Sequence, residues 1–189
     1  MNADGSHAKA LTEDGKSSSA VWSKDGKSIF FTNYEKGTAQ IFRMDLTTCE
    51  TEQVTDYELG IGSPVISPDE RYIAFTAEVY PDLGADAKAN KARMEKKEQG
   101  PVQAHIADKL LYRHWTSYSD GRCNHLILFD THTKTYKDLT PGNYSLIFVV
   151  GGGITYQFSP DSKEICFVSN HDEHQEASTN ADLWTVSVN

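Results

Sequence analysis

The sequence predicts an all-β fold, part of a β-propeller, and three observations predict it. The run VWSKDGKSIFF, Val21 to Phe31, returns as VISPDERYIAF, Val65 to Phe75, and as QFSPDSKEICF, Gln157 to Phe167. Each copy sets Ser, then Lys or Pro, then Asp ahead of an apolar run closed by Phe. The first two copies lie about 44 residues apart, and four short strands over roughly 40 to 45 residues make one propeller blade.

The repeat begins with a turn. Ser23-Lys24-Asp25-Gly26 has the residues of a type I turn, and Pro68 and Pro160 pre-set φ at its second position. Glu70 and Ser162 replace Gly26, a position expected not to need glycine. SIFFTN and YIAFTAEV follow as strands, rich in β-branched and aromatic residues and too short for helices. AQIFRMDL and TEQVTD complete the first unit, and NHLILFDT and TYKDLTPG complete the second. Between strands two and three of the second unit, ADAKANKARMEKKEQ reads as a surface helix stopped by Gly100-Pro101. The run after it, from Asp108, reads as a long hairpin turning at Ser119-Asp120-Gly121. Blades are therefore expected over 17–60, 61–142 and 143–189, with the helix and hairpin inserted at about 79–123. Residues 1–16 resemble the tail of a truncated blade. Three blades and a fraction do not close a propeller, so the chain reads as a piece of a larger protein.

Composition limits the partners. A formal charge of -9 and a pI near 5.2 argue against nucleic acid and anionic membrane, which both need a basic face. No apolar run is long enough to span a membrane, and MNADGSHAKALTEDG lacks the basic and apolar regions of a signal peptide, so compartment stays unknown. Cys49, Cys123 and Cys166 are too widely spaced for a disulfide framework or a paired-cysteine metal site and read as buried or half-buried thiols.

The repeat and the hairpin together resemble a known family. The Ser-Pro-Asp turn with its following strand is similar to the repeats of TolB-like and WD40-like propellers and of the prolyl oligopeptidase family. ADKLLYRHWTSYSDGRCNHLILFD and the EASTNADLWTV stretch resemble the propeller of dipeptidyl peptidase V and acylaminoacyl-peptidase-like enzymes. The resemblance runs from Ala20 to Val188. It implies a non-catalytic propeller segment of a serine exopeptidase, lying over a separate C-terminal α/β-hydrolase domain, gating access and helping to bind peptide. It also implies a periplasmic or secreted parent. The family's nucleophile sits in a G-x-S-x-G elbow, which this chain lacks; Gly151-Gly152-Gly153 contains no Ser, and no catalytic residue carries over.

Arg113, His114, Trp115 and Tyr118 are the candidate substrate or domain-interface residues. Strand alternation would put Arg113 and Trp115 on one face and His114 on the other; the structural alternative is a packed Trp beside a snorkelling Arg. His171-Asp172-Glu173-His174 has metal-like spacing, but its polar loop offers nothing to hold ligands in register, so no metal and no cofactor is expected. Trp22, Phe31, Phe75, Phe158 and Phe167 recur by blade and are expected in the core, and the basic helix of Lys88, Lys91, Arg93, Lys96 and Lys97 reads as a solvated face. Two alternatives stand beside the peptidase reading. One is a TolB-like or stand-alone protein-binding propeller. The other is a carbohydrate-active propeller, disfavoured because the acidic residues lie in turns. The partners implied are the missing blades, the hydrolase domain and peptide, with self-association through the uncovered blade faces.

Overall fold

A computed structural model describes residues 4, 6–34, 37–102, 104–107, 110, 112–146 and 155–189. Three antiparallel sheets stack face to face. The first runs in chain order through β1 (Ser17–Trp22), β2 (Ser28–Asn33), β3 (Gln40–Asp45) and β4 (Thr51–Gln53). The second contains β5 (Gly62–Ile66), β6 (Tyr72–Val79), β9 (Cys123–Asp130) and β10 (Thr135–Asp138), paired in that order. Between β6 and β9 lie helix α1 (Ala87–Glu98) and a separate hairpin of β7 (Arg113–His114) and β8 (Ser117–Tyr118). The third sheet has three strands among the described residues, β11 (Tyr156–Phe158), β12 (Glu164–Ser169) and β13 (Asp182–Ser187). The Gly151-Gly152-Gly153 run lies outside the described residues.

The second sheet is the middle layer. Alternation along β6 and β9 sends Ile73, Phe75, Ile127 and Phe129 towards the first sheet, where they meet Phe30, Ile41 and Tyr57. The alternate residues Tyr72, Ala74, Leu126 and Leu128 face the third sheet and meet Tyr156, Phe158, Ile165 and Phe167. A strand buried on both faces has no polar side to show, which is why β6 and β9 read as almost continuous apolar runs. Phe75 is wholly buried, with Tyr57 at 5.2 Å and Tyr136 at 6.2 Å between ring centroids. Phe31, Phe158 and Phe167 are buried as expected, but Trp22 is 67% exposed. It lies on the outer face of the first sheet, beside Ile29, Phe31 and Met44, with no further sheet packed over it among the described residues.

The three repeat turns are built alike. The Ser hydroxyl donates to the Asp carboxylate two residues on, at 2.7, 2.6 and 2.7 Å for Ser23, Ser67 and Ser159. It also accepts the backbone N–H of Ser28, Tyr72 and Glu164, at 2.9, 2.9 and 3.0 Å. The position held by Gly26, Glu70 and Ser162 is left-handed in every copy, with φ of 68°, 63° and 63°. The turn thus forms without glycine, as expected, but its last position is left-handed. Glu70 and Ser162 hold a conformation that costs a non-glycine residue roughly 1 kcal/mol. Both side chains reach the neighbouring turn. Glu70 Oε1 accepts the Lys24 N–H, and Ser162 Oγ accepts the Asp69 N–H at 3.1 Å. The three turns therefore line one side of the stack.

Other expectations are corrected. Residues 8–16 are irregular with bends after a turn at Ser6-His7, and no strand precedes Ser17 among the described residues. Asp14 instead accepts the Lys16 N–H at 2.9 Å and the Asn33 amide at 2.5 Å. Cys123 is buried, but Cys49 and Cys166 are exposed, because one sits in a turn and the other on the outer face of the third sheet. The inserted hairpin is short and turns at Trp115-Thr116, not at Ser119-Asp120-Gly121. Asp120 is occupied in caging Arg122, accepting its backbone N–H at 3.2 Å and its Nε at 2.8 Å, so that stretch leads into β9.

Candidate functional site

With every sheet antiparallel, alternate connections leave on opposite sides. The Ser-x-Asp turns and the short β3–β4 and β9–β10 links take one side. The opposite side receives the β2–β3, β4–β5, β10–β11 and β12–β13 connections and the whole β6–β9 insertion. Short tight turns make the first side a closed floor. The second is a face of long loops, and loops on a rigid scaffold are where binding groups collect.

Helix α1 is anchored to that face by its ends and by one buried amide. Asp86 caps it by accepting the Ala89 N–H at 3.0 Å. Asn90, fully buried, accepts the Tyr80 N–H at 2.7 Å and donates to the Gly84 and Asp86 carbonyls at 3.0 and 2.8 Å. Arg93 clamps Asp82 with two bonds of 2.7 and 2.6 Å. Beside the helix a cleft of about 650 Å³ opens between the first and second sheets. Its wall carries Glu58, Glu78 and Glu95 with Lys91 and Arg122; Lys91 pairs with Glu58 at 3.3 Å and Arg122 with Glu78 at 3.2 Å.

The insertion ends in an aromatic arm. Arg113 lies opposite Tyr118 in the hairpin, its guanidinium 5.9 Å from the ring centre. Tyr118 also stacks on His105 at 4.2 Å. Trp115 does not share a strand face with Arg113. It occupies the turn itself, with φ of 49°, and is 84% exposed at the tip. His114 sits in β7 opposite Ser117, and its side chain lies outside the described atoms. Val102, Ile106, Leu110 and Tyr112 are exposed along the same insertion, so the arm shows more apolar surface than a solvated loop needs.

Two features of this face escaped sequence reasoning. The first is a ring stack drawn from two loops and a strand. The His171 ring centre lies 4.0 Å from that of Tyr144, tilted by 45°, and 4.0 Å from that of Trp184, stacked at 27°. The loop bearing His171 is braced: Asn180 donates to Asp172 at 3.3 Å and to Asp182 at 2.9 Å. His171 is thus held between a braced loop and two aromatic neighbours. Nothing in the sequence joins these three residues, since contact between separate loops leaves no spacing to read.

The second is His125, buried in β9. Its Nδ1 is 2.7 Å from Asp138 and its Nε2 is 2.9 Å from the Gly142 carbonyl. Two acceptors on one ring require both nitrogens protonated. Burial opposes that charge, but the Asp138 carboxylate, the Cys123 thiol and the Gly142 carbonyl outweigh it and push the pKa up to about 9. Cys123, His125 and Asp138 together carry nucleophile, base and acid, yet they form no triad. Both ring nitrogens are engaged, Nδ1 by Asp138 and Nε2 by the Gly142 carbonyl, and the thiol donates to Asn143 Oδ1 at 3.7 Å. The signal was present in Asn124-His125-Leu126, a histidine inside an apolar strand run.

No family model matches the chain. Dipeptidyl-peptidase 5 of Porphyromonas gingivalis is 28% identical over 195 positions, covering 100% of this chain and 28% of that protein. The uncharacterized peptidase YuxL of Bacillus subtilis is 26% identical over 173 positions, covering 90% of this chain and 24% of its own length. The chain therefore spans about a quarter of the curated relatives it matches. Among solved structures, the acylaminoacyl peptidase of Pyrococcus horikoshii superposes with a TM-score of 0.58 at 16% identity, over 90% of this chain and 23% of that one. An oligogalacturonate lyase of Vibrio parahaemolyticus gives 0.59 at 15% identity, over 100% and 41%. TolB of Acinetobacter baumannii gives 0.53 at 19%, over 97% and 33%. At such identities the solved structures establish the fold, and the curated relatives point to peptidases. The chain is a β-propeller segment, similar in sequence to dipeptidyl-peptidase 5 and peptidase YuxL.

Proposed function

We propose that this chain is the non-catalytic propeller segment of a serine exopeptidase. Its loop face would lie over an α/β-hydrolase domain, gate entry and help bind peptide. The observation that carries the reading is the end-to-end match to dipeptidyl-peptidase 5, which includes the insertion bearing the aromatic arm. The arm suits that place: Trp115 and Tyr118 offer rings to a peptide or to a facing domain, and Arg113 offers a positive group beside them. The test is the full-length gene product. It should hydrolyse dipeptidyl reporter substrates and be labelled by a serine-reactive fluorophosphonate, while the isolated 189-residue chain does neither. A full-length protein without label or turnover would remove the peptidase reading.

A protein-binding propeller of the TolB kind is the second reading. It is favoured by 28% identity over 68 positions to the Tol-Pal system protein TolB of Francisella tularensis, covering 36% of this chain and 16% of that protein. Capture of a protein partner by a full-length product that resists the fluorophosphonate would favour it.

A further inference from the structure

Each sheet-to-sheet contact is accompanied by one hydrogen bond between neighbouring turns, and its chemistry changes with the receiving turn. In the first turn the residue after Ser is Lys24, which has a backbone N–H, and the next sheet meets it with the long acceptor Glu70. In the second turn that residue is Pro68, which has none. There the next sheet uses the short acceptor Ser162, aimed one residue further, at Asp69 N–H. The clasping residue occupies the left-handed position each time, a strained place for a side chain. A strained residue kept twice, with its side chain doing the same task each time, marks a recognition element.

The third turn is Ser159-Pro160-Asp161-Ser162. It copies the second, with Pro at the same place, and Asp161 N–H has no acceptor among the described residues. Among the described residues nothing packs over the outer face of the third sheet beside it. Cys166 and Leu183 project there, Leu183 at 77% exposure. At the opposite end, the outer face of the first sheet presents Trp22 and the Ile29, Phe31, Met44 cluster, the counterparts of what the second sheet turns towards the first. Its turn, however, carries Gly26, which has no side chain to clasp with.

We infer that the outer face of the third sheet is a docking surface for another sheet of this same repeat, one carrying a short oxygen acceptor, Ser or Asn, at the left-handed turn position. The contact continues the two interfaces already present in the chain. Glu is the wrong length here, since the N–H it would reach is missing from Pro160. Gly26 withholds the clasp from a second copy of this chain, which otherwise offers a matching apolar face and could add head to tail. The inference rests on the turns alone and stands apart from the peptidase reading.

Gly26 makes the rule testable in the chain as it exists, because nothing lies within 4 Å of a Cβ built there. Gly26→Ser should tighten head-to-tail association about fivefold over Gly26→Ala, the worth of one hydrogen bond, in sedimentation equilibrium. Gly26→Glu should match Gly26→Ala. The alanine variant carries the same left-handed strain, so strain cancels from the comparison. Equal association of the serine and alanine variants, or a gain with glutamate as large as with serine, overturns the proposal. A second measurement needs no association. Ser162→Ala should speed exchange of the Asp69 amide about fivefold, and Ser162→Asn should keep it protected. An Asp69 amide indifferent to Ser162→Ala also overturns it.

Discussion

The first and second sheets answer one structural demand with different chemistry. Residues 85 positions apart occupy the same places. Ile41 and Leu126 donate to Thr55 and Thr140, both at 2.9 Å. One residue before each donor, Gln40 and His125 reach the carbonyl of the loop that follows, Tyr57 at 2.7 Å and Gly142 at 2.9 Å. In the first sheet the network is neutral, closed by Thr55 donating to Gln40 at 2.9 Å. In the second it is ionic, with Asp138 added. Asp138 also backs onto Gly84, where an added Cβ would come within 3.2 Å of its carboxylate. The charge pair therefore fastens the strand at the root of the insertion. A sheet buried on both faces can carry a long loop excursion, provided the loop's base is pinned.

The comparison breaks most visibly in the core. Phe75→Ala, in the middle layer, should cost about 3–5 kcal/mol in urea unfolding, whereas Trp22→Ala, on the outer face, should cost less than about 1 kcal/mol. Similar costs would mean the first sheet is covered in solution. The next largest effect separates the two networks. His125→Ala strands a buried carboxylate and should cost about 3 kcal/mol. His125→Gln, which writes the first sheet's solution into the second, should cost clearly less; equal losses would deny the equivalence.

The pH dependence follows from the raised pKa of His125. A group held protonated by the fold adds stability that is fully present below its unfolded pKa, near 6.5, and is lost as pH climbs through about 9. Unfolding free energy should fall between those values, by up to about 3 kcal/mol, and the fall should vanish in His125→Gln. A loss of the same size in that variant would assign it elsewhere. The smallest effect is at the helix. Arg93→Ala breaks an exposed clamp with Asp82 and should cost under about 1 kcal/mol while raising amide exchange in α1.

What was legible in the sequence was what repeats. Ser23, Ser67 and Ser159 announced the turns because one hydroxyl and one carboxylate build each of them locally. The apolar strands and helix α1 announced themselves through composition and Gly100-Pro101. The rest depended on long-range contact. The left-handed position was hidden because Glu70 and Ser162 accept strain to bond with another sheet. Trp22 looked like core because its exposure depends on a sheet that is not packed over it here. The arm was misplaced because Ser119-Asp120-Gly121 has turn composition, while the true turn at Trp115-Thr116 has none. The Tyr144, His171 and Trp184 stack had no local signature at all.

The proposed part of the loop face and its aromatic arm in peptide hydrolysis is tested most directly by Michaelis kinetics of the full-length protein. Trp115→Ala combined with Tyr118→Ala should raise KM for dipeptidyl substrates about tenfold or more while the unfolding midpoint stays within about 2 °C, since both side chains are exposed. Unchanged kcat and KM in a folded double variant would contradict it.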